Sequence, residues 1–570
     1  SAVVVSPGSR STPLSMMAYA SDLDVYVDVD ERGAAFFALG LAKATGQAVA
    51  VICTSGTAVA NYYPAVLEAE SSRVPLLVLS GDRPARLQQL GAPQTCDQLK
   101  IFGNHVRQFW NMPEPTGAIE QVRYARQVAR EALVALAPQT LVSAPVHINF
   151  PFDEPLVPAY DRAGVFELGR AASHDELPLL IEPSCALMPD QVAELERLLE
   201  GKRAIALCGE GTLGVFNACV SASWDMRDES ARALLSWARR FDIPLLADPL
   251  SQLRNYADAE IIDNYDNLCA RADCPVPEVV IRFGRYPVSK SATALLERTR
   301  PVSLAVDIAE TRDFNAATDV FVGTTPLGFV RSPWRAEGRK AQRRFAAAWV
   351  ALNDEARLRI LAVEWDGVAT HDSEATEGAY VRSLLELAPE GSCLFSANSM
   401  SIRAVDTFYV KDGKPLAVMA NRGQNGIDGV VSTAVGAAQH FAQTTFLTGD
   451  FTLLHDLSGL ALQREMLLQR RGSAETPSLV IVLLNNNGGA IFDMLPQASA
   501  DPYFERLFLA PQDVRFTEAA AAFGIPSASV HTVGAFRSAY EQFLGTPGIS
   551  LIEVALPLRG VRDRYAPYQR

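Results

Sequence analysis

The stretch LVIVLLNNNG, residues 479–488, and the earlier stretch TFLTGD, residues 445–450, decide the fold class of this chain. Leu479–Leu484 and Thr445–Leu447 have the mostly apolar character of strands that are covered on both faces of a parallel sheet. Both stretches end in oxygen-bearing side chains, at the edge where such sheets bind ligands. The Asp450 carboxylate and the amides of 485–487 suit Mg²⁺, and a following helix offers N–H groups to a phosphate. The two stretches therefore predict a site for a magnesium-bound phosphate.

The same alternation of strands and helices runs through the whole chain. Further strands are predicted at Ala2–Val5, Val25–Val29, Ala48–Cys53, Pro75–Leu79, Val146–Asn149, Arg203–Leu207, Pro244–Leu246, Val279–Phe283, Val302–Val306, Leu394–Ala397, Leu416–Met419 and Ser550–Val554. Helices are predicted at Pro13–Ala20, Arg32–Ala44, Ala58–Glu70, Val430–Gln439, Leu453–Leu468 and Thr517–Phe523. This pattern predicts an α/β protein with three doubly wound parallel-sheet domains, at 1–170, 185–345 and 366–570. A proline-bearing linker is predicted over about residues 151–190.

Composition and charge argue against several classes of protein. The net charge is −14 and the sequence contains no run of Lys or Arg, which argues against nucleic-acid binding. No apolar run approaches the ~20 residues that span a bilayer, and the first residues lack the basic segment of a signal peptide. We therefore expect a cytoplasmic protein that does not insert into membranes. The eight cysteines form no CxxC pair, which favours reduced, mostly buried thiols.

Several motifs carry a resemblance to a known family. Gly449-Asp450 followed by the asparagine run matches the signature of thiamine-diphosphate enzymes, at an interval lengthened by the polar residues 469–475, where a surface insertion is tolerated. The other motifs are SPGSRSTP (6–13), TSGTAVAN (54–61), NRG (421–423), GIDG (426–429) and NNNGG (485–489). Together they resemble the 2-succinyl-5-enolpyruvyl-6-hydroxy-3-cyclohexene-1-carboxylate synthase family of menaquinone biosynthesis. The match covers the first and last thirds well and the middle third loosely.

The resemblance implies a transferase of aldehyde or ketone residues. Enzymes of this family decarboxylate 2-oxoglutarate and add the resulting succinyl carbanion equivalent to isochorismate by 1,4-addition. The cofactors implied are thiamine diphosphate and Mg²⁺, or Mn²⁺ in its place. The three predicted domains would then be a pyrimidine-binding domain, a central domain and a diphosphate-binding domain, in that order.

The resemblance also implies roles for individual residues near the cofactor. Glu31 would exchange a proton with the aminopyrimidine ring, although an acid at a helix start also suits the helix dipole without any catalytic role. The metal would be held by Asp450, the Asn486 side chain and the Gly488 carbonyl. Further cofactor contacts would come from Gly449, Thr452, Ser399 and Ile427, the last acting as a wedge that bends the cofactor into a V shape.

Both substrates implied by the resemblance carry two carboxylates, and the planar fork of arginine binds carboxylates well. Arg403 and Arg422 would bind the succinyl carboxylate. Taken singly, an arginine is more often one member of a solvated surface ion pair. The residues expected to face isochorismate or to line the substrate space are Ser9, Arg10, Arg83, Gln94, Lys290, Ser399, Phe492 and Leu495.

In this superfamily the catalytic glutamate and the metal ligands come from different subunits, so the resemblance implies a homodimer or a homotetramer. Two alternatives stay open at this point. One is another thiamine enzyme that handles 2-oxoacids, such as a carboligase similar to acetolactate synthase. The other is a catalytically silent regulator with the same fold, against which the intact Glu31, Asp450 and Asn486 argue.

Overall fold

A computed structural model describes residues 2–136, 142–157, 164, 167, 186–213, 224–338, 340–370, 376–468, 476–499 and 502–569 of the chain. These ranges contain three six-stranded sheets in which every strand runs parallel to its neighbours. The predicted α/β class with three doubly wound parallel sheets is therefore confirmed. The insertion predicted at 469–475 and most of the linker predicted over about 151–190 lie outside the described residues.

Each sheet is built from six consecutive strands of the described chain. The first sheet contains β1 (Ala2–Val5), β2 (Asp24–Val27), β3 (Val49–Cys53), β4 (Leu76–Asp82), β5 (Gln108–Asn111) and β6 (Val146–Pro151). The second contains β7 (Ala204–Cys208), β8 (Leu245–Ala247), β9 (Ile261–Ile262), β10 (Val279–Phe283), β11 (Val302–Asp307) and β12 (Val320–Gly323). The third contains β13 (Ser392–Ser396), β14 (Leu416–Ala420), β15 (Gln443–Gly449), β16 (Ser478–Asn485), β17 (Ser527–Val530) and β18 (Gly548–Ala555).

The first and third sheets share one strand order. The first has the order β2-β1-β3-β4-β6-β5 and the third has the order β14-β13-β15-β16-β18-β17. When the six strands of each sheet are numbered 1 to 6 along the chain, both orders are 2-1-3-4-6-5. The second sheet, β12-β11-β10-β7-β8-β9, reads 3-2-1-4-5-6 from its other edge. The order reverses between β1 and β3 in the first sheet and between β13 and β15 in the third. Doubly wound sheets bind ligands outside the carboxyl ends of the strands at such points.

Helices connect the strands throughout the described chain. The first ten are α1 (Thr12–Ala20), α2 (Glu31–Thr45), α3 (Thr57–Asn61), α4 (Tyr63–Ser72), α5 (Ile119–Leu136), α6 (Pro189–Leu199), α7 (Trp224–Phe241), α8 (Tyr265–Cys269), α9 (Lys290–Thr299) and α10 (Pro326–Arg331). They are followed by α11 (Lys340–Thr370), α12 (Glu377–Leu387), α13 (Met400–Phe408), α14 (Val430–Ala438), α15 (Asp450–His455), α16 (Gln463–Leu467), α17 (Phe516–Ala522), α18 (Val533–Phe543) and α19 (Val561–Tyr565).

The contacts within the chain divide it into two compact units. Unit 1 comprises 1–183, 421–440 and 455–476, and it contains the first sheet together with α14. Unit 2 comprises 184–420, 441–454 and 477–570, and it contains the second and third sheets. The three-domain division at 1–170, 185–345 and 366–570 stays a prediction.

Two helices expected from the sequence are interrupted in the structure. The segment predicted as Ala58–Glu70 forms α3 and α4, because Pro64 in the first turn of α4 has no N–H with which to continue a preceding helix. The segment predicted as Leu453–Leu468 forms α15, a 3-10 helix at 457–462 and α16. Between the first two of these, Asp456 is fully buried and accepts the Ser432 N–H at 2.8 Å. The chain departs from a regular helix where this tertiary bond forms.

Helix α2 and helix α14 cross at very short range within unit 1. A Cβ on Gly40 would lie 1.9 Å from the Thr433 carbonyl oxygen, and a Cβ on Gly436 would lie 2.0 Å from the Phe37 carbonyl oxygen. At both glycines the backbone of one helix lies directly against the backbone of the other, so neither position accommodates a side chain. The crossing links the helix that begins at Glu31 to the segment that carries Arg422 and Ile427.

We expect Gly436→Ala to destabilise the protein by about 3 kcal/mol or more, because overpacking against a rigid backbone cannot be relieved by a side-chain movement. Thermal and urea unfolding followed by circular dichroism would measure the loss. Gly534→Ala is the matched control, since a Cβ on this helical glycine would meet no atom within 4 Å. A Gly436→Ala variant as stable as the wild type would contradict the close crossing.

Within unit 2, a buried arginine joins the second sheet to α13, the helix that begins after Ser399 and carries Arg403. Arg254 has no exposed surface and donates to the carbonyl oxygens of Ala247, Asp406 and Tyr409 at 2.7–2.8 Å. Its charge is balanced by the Asp406 carboxylate at 2.5 Å. Because Asp406 and Tyr409 lie at the end of α13, Arg254 supplies donors to carbonyls that have no partner within the helix.

The described cysteines are free thiols, of which Cys96 is half-buried and the other five, at 53, 208, 269, 274 and 393, are buried. This agrees with the prediction of reduced thiols for the part of the chain that the structure describes. Among the same residues, none of the helices combines the length and apolar character that crossing a bilayer requires.

Candidate active site

Several of the predicted site residues follow strands at the carboxyl edges of the first and third sheets, whereas Lys290 follows a strand of the second sheet. In the first sheet, Ser9 and Arg10 follow β1, and the motif at 54–56 follows β3. In the third sheet, Ser399 follows β13, and Asp450 directly follows β15. In both sheets, residues named by the motifs therefore lie at strand ends beside a reversal of strand order, where doubly wound sheets bind ligands.

Asp450 is a buried carboxylate held by backbone donors. It accepts the Gly488 N–H at 2.5 Å through Oδ2 and the Phe451 N–H at 2.9 Å through Oδ1. Burial raises the pKa of Asp450 to about 6, although these backbone hydrogen bonds act in the opposite direction. The first of them joins the residue after β15 to the segment after β16, so the two quoted stretches meet.

Of the three consecutive asparagines at the end of β16 and directly after it, only Asn486 keeps a side-chain oxygen without a hydrogen-bond partner. The Asn485 Oδ1 accepts the Asn487 N–H at 2.8 Å, and its amide donates to Glu553 at 2.7 Å. The Asn487 amide is engaged with Asp513 in both directions, at 2.8 and 2.9 Å. The Asn486 Oδ1 is buried and unpartnered. An unpaired buried oxygen costs free energy unless a cation or a donor completes it.

These donors fit a hard divalent cation. A carboxylate, an amide oxygen and backbone carbonyls are the ligands that Mg²⁺ and Mn²⁺ prefer. Among the residues that the structure describes, no group of three or more His, Cys, Asp or Glu side chains could hold a metal ion. An oxygen site of mixed carboxylate, amide and carbonyl character is consistent with that finding. Gly449 ends β15, and Thr452, in the first turn of α15, is buried.

Two arginines lie close together at the carboxyl edge of the first sheet. Arg83 donates to Gln94 Oε1 at 3.1 Å and to the Ser55 hydroxyl. The pKa of Arg83 is lowered, mainly by burial and to a smaller extent by repulsion from Arg10. Arg10 is 8% exposed, donates to the Phe152 carbonyl at 2.9 Å, and keeps a buried Nε–H without a partner. The structure thus brings Arg10, Arg83 and Gln94 close together.

The carboxylates that attract Arg83 are Asp82, the last residue of β4, and Glu154. Glu154 is the carboxylate that pairs with Arg10, at 3.5 Å, and its side chain is 66% exposed. Two partly desolvated guanidinium groups that repel each other, one with an unused donor, are stabilised by an anion placed between them. The geometry can therefore bind a carboxylate.

A buried network of polar side chains is hydrogen-bonded to the backbone beside this arginine pair. Gln98 accepts the Gly56 N–H at 3.0 Å and donates to Asn149 Oδ1 at 2.8 Å. Asn149 donates in turn to Asp82 at 2.9 Å, and Asp82 accepts the backbone N–H of Arg83 at 2.7 Å. The network continues from Asn149 through Ser80 to His147. Gln98 and Asp82 have no predicted role, since nothing in their local sequence marks them as members of a site.

His147 gives the network a measurable dependence on pH. The side chain is fully buried, and burial lowers its pKa from 6.5 to about 3. The unfolded chain therefore gains a proton near pH 6.5 while the folded protein does not. The stability due to the neutral histidine is complete above pH 6.5 and is lost as the pH falls toward 3, by up to about 1.4 kcal/mol per pH unit.

We expect His147→Gln to flatten the decrease in stability between pH 6.5 and pH 5, because glutamine does not titrate. Urea unfolding of the wild type and the variant at several pH values measures the difference. The exposed His531, replaced by Gln, is the matched control. Parallel pH profiles of the wild type and His147→Gln would show that the buried ring is protonated in the folded protein as readily as in water.

Glu31 is the first residue of α2 and is partly buried. Its neighbour Asp30 caps the helix by accepting the N–H groups of Arg32 and Gly33 at 3.0 and 3.4 Å. Helix capping is therefore assigned to Asp30, which leaves the Glu31 carboxylate available for another role. Ile427 lies in the same unit, half-buried in the segment that precedes α14.

The remaining predicted residues are placed as follows. In unit 2, Arg403 donates to the Ser399 carbonyl at 2.6 Å, so these two are neighbours at the start of α13. Phe492 lies in a 3-10 helix at 490–494 and contacts the ring of Phe508 at 5.5 Å. Leu495 follows it and is half-buried, Lys290 is the exposed first residue of α9, and Arg422 is half-buried between β14 and α14.

Comparison with known proteins connects this geometry to a family. Residues 1–101 match the family described as "Thiamine pyrophosphate enzyme, N-terminal TPP binding domain". The 2-succinyl-5-enolpyruvyl-6-hydroxy-3-cyclohexene-1-carboxylate synthase of Geobacillus thermodenitrificans is 41% identical over 97% of this chain and 90% of its own length. Synthases of the same name from Geobacillus kaustophilus and Listeria monocytogenes are 40% and 37% identical, each over 97% of this chain and 91% of their own length.

The chain belongs to the 2-succinyl-5-enolpyruvyl-6-hydroxy-3-cyclohexene-1-carboxylate synthase family. Membership in this synthase family confirms the resemblance predicted from the motifs and makes the chain a thiamine-diphosphate-dependent enzyme. Similarity at full length also extends through the middle third, where the motifs resemble the family only loosely.

A solved structure supports the fold independently of close sequence similarity. Benzoylformate decarboxylase from Polynucleobacter necessarius superimposes with a TM-score of 0.68, covering 98% of this chain and 96% of the decarboxylase, at 15% sequence identity. At that identity the likeness concerns the fold alone. The synthase family therefore shares its three-sheet architecture with an enzyme of different name.

Proposed function

We propose that this chain joins 2-oxoglutarate to isochorismate with loss of CO₂, forming 2-succinyl-5-enolpyruvyl-6-hydroxy-3-cyclohexene-1-carboxylate for menaquinone biosynthesis. The observation that carries the proposal is full-length similarity to synthases of that name, at 35–41% identity. The closely placed Arg10 and Arg83 support it, because both substrates are carboxylates that a guanidinium pair binds well. The proposed location is the cytoplasm.

We propose that thiamine diphosphate is held through Mg²⁺, or Mn²⁺, by Asp450, the Asn486 Oδ1 and the Gly488 carbonyl. The unpartnered buried oxygen of Asn486 supports this assignment. Gly449, Thr452 and Ser399 would contact the cofactor, and Ile427 would set its bent conformation. When bound, the cofactor supplies the carbon nucleophile that allows a 2-oxoacid to lose CO₂.

Glu31 is proposed to hold and return a proton at the aminopyrimidine ring. A carboxyl group positioned for this purpose contributes roughly 10²–10⁴-fold to a rate. Because Asp30 caps α2, the Glu31 carboxylate is not needed to satisfy the first N–H groups of that helix. Because Asp30 and not Glu31 caps the helix, a catalytic role for Glu31 is favoured over a purely structural one.

The substrate-binding residues are proposed as two groups. Arg403 and Arg422 would bind the succinyl carboxylate. The residues proposed to face isochorismate are Ser9, Arg10, Arg83, Gln94, Lys290 and Ser399, while Phe492 and Leu495 would form an apolar wall that limits the access of water.

Product analysis tests the proposed reaction against its main alternative. The purified chain, loaded with thiamine diphosphate and Mg²⁺, would be incubated with 2-oxoglutarate plus isochorismate and, separately, with pyruvate alone. We expect the succinylated cyclohexene product in the first reaction and no acetolactate in the second. Acetolactate from pyruvate would favour the carboligase alternative, and no turnover of either substrate would favour a silent regulator.

We further propose a homodimer or homotetramer in which Glu31 of one subunit and the metal ligands of another subunit form one active site. The proposed domains are the pyrimidine-binding (1–170), central (185–345) and diphosphate-binding (366–570) domains. Sedimentation in the presence of cofactor and Mg²⁺ tests the assembly, since a sedimenting monomer with full activity would contradict it.

A further inference from the structure

The last turns of α4 hold the segment that carries Arg422. The Glu68 side chain is 3% exposed, and its carboxylate accepts the Gly423 N–H at 2.8 Å and the Gln424 N–H at 2.6 Å. One helical turn later, the Ser71 hydroxyl donates to the Gly423 carbonyl at 3.0 Å. Both polar groups of the Gly423 backbone are therefore bound by one helix that is more than 300 residues away in the sequence.

The Glu68 carboxylate is itself fixed by two further donors. Ser72 donates to Oε1 at 2.7 Å, and the Lys43 ammonium, which has no exposed surface, lies 3.4 Å from the same oxygen. A buried carboxylate that is paired with a cation and accepts several hydrogen bonds has one well-defined orientation. The two backbone N–H groups of the segment are thus bound to a rigid acceptor.

On the other side of Arg422, Asn421 is also anchored, because its amide donates to the Thr433 hydroxyl of α14 at 2.9 Å. Arg422 is therefore flanked in the chain by two residues whose positions are set by buried hydrogen bonds. A backbone restrained at both neighbours leaves the arginine only its side-chain rotamers.

We propose that Glu68, with Ser71, is a positioning residue that sets the location of the Arg422 guanidinium and thereby the affinity for the carboxylate of the 2-oxoacid substrate. This inference rests on the proposed function, in which Arg422 binds the succinyl carboxylate. Glu68 acts through the 421–424 backbone and touches neither substrate nor cofactor. Its contribution is to remove conformational freedom from the segment before the substrate arrives.

Glu68→Gln tests the proposal most directly. The amide places an N–H₂ group against backbone N–H donors or against Lys43, so at least one of these contacts is lost. We expect KM for 2-oxoglutarate to rise by about tenfold or more, since small misplacements of a positioning group cost up to ~10²-fold. KM for isochorismate should change by less than about threefold, which a general loss of folded protein would not produce, since that lowers kcat.

Ser71→Ala provides a second variant that leaves the buried charge pair intact and is expected to fold. Losing one hydrogen bond should raise KM for 2-oxoglutarate by about 2- to 10-fold. Glu70→Gln is the matched control, because this half-exposed acid on the same helix pairs with His105 at 2.7 Å and not with the 421–424 segment. Its kinetic constants should equal those of the wild type.

Hydrogen exchange of the 421–429 segment, measured by mass spectrometry, separates the structural part of the proposal from the kinetic part. We expect faster exchange in Glu68→Gln and Ser71→Ala than in the control. A wild type that forms product, together with variants of unchanged KM for 2-oxoglutarate, overturns the positioning role and leaves the proposed function intact. A wild type that forms no product from the two substrates overturns the proposed function, and the positioning role with it.

Discussion

Glu31→Gln is expected to lower kcat by at least about 10²-fold while thiamine diphosphate still binds. Glutamine keeps the size and polarity of the side chain but cannot exchange a proton, and positioned acid–base groups contribute roughly 10²–10⁴-fold. Because Asp30 provides the cap of α2, the substitution leaves the start of the helix intact. Product formation under saturating substrates measures kcat, and equilibrium dialysis of the cofactor in the presence of Mg²⁺ measures binding.

Asp30→Asn is the matched control for this experiment. Asparagine caps helices about as well as aspartate, so the protein should fold normally and keep kcat within a few-fold of the wild type. A Glu31→Gln enzyme that turns over at the wild-type rate would remove Glu31 from the mechanism. Loss of activity in both variants would instead indicate that the N-terminus of α2, and not the Glu31 proton, is what the reaction requires.

Asn486→Ala is expected to weaken divalent-cation binding by at least about 10- to 100-fold. Losses of that size are typical even when only an indirect partner of a metal site is removed, and Asn486 is proposed as a direct ligand. The reason for choosing this residue is its unpartnered buried Oδ1, whereas the flanking Asn485 and Asn487 use their side chains in protein hydrogen bonds. Titration with Mn²⁺ followed by electron paramagnetic resonance measures the affinity without any need for turnover.

Asn487→Gly is the control, because glycine tolerates the φ of +58° found at this position. It should lose the bonds to Asp513 and keep Mn²⁺ affinity within a few-fold of the wild type. A larger loss of affinity in Asn487→Gly than in Asn486→Ala would mean that Asn487, and not Asn486, is the metal ligand.

The strands that sequence patterns predicted and those that they missed differ in one physical respect. Every strand in the interior of the three sheets was predicted, because burial on both faces demands a nearly continuous apolar run. The four missed strands, β5, β9, β12 and β17, all lie at sheet edges. Three of them are partly exposed, with segments such as QFWN and SASV, and β9 has two residues, so none has the apolar run that marks a central strand.

The site was predicted to the extent that its chemistry is local in sequence. Gly449-Asp450, the asparagine run and the strand-end arginines are recognisable because each combines a buried strand with polar residues directly after it. Gln98, Asn149 and Glu68 were given no role, since the bonds by which they hold the neighbourhood of the site join residues 17–356 positions apart. No local pattern marks a residue whose partners lie that far along the chain.

From the residues alone follow the parallel α/β architecture, the oxygen-rich site between two strand ends, and a resemblance strong enough to name a family. These properties depend on short segments, whose apolar runs and turn residues act the same way in any context. Which of three identical asparagines keeps a free oxygen, that Arg10 and Arg83 repel each other, and that Glu68 binds the segment beside Arg422 depend on the folded chain. Each is settled by competition for hydrogen-bond partners and charge, and that competition exists only when distant segments share one buried environment.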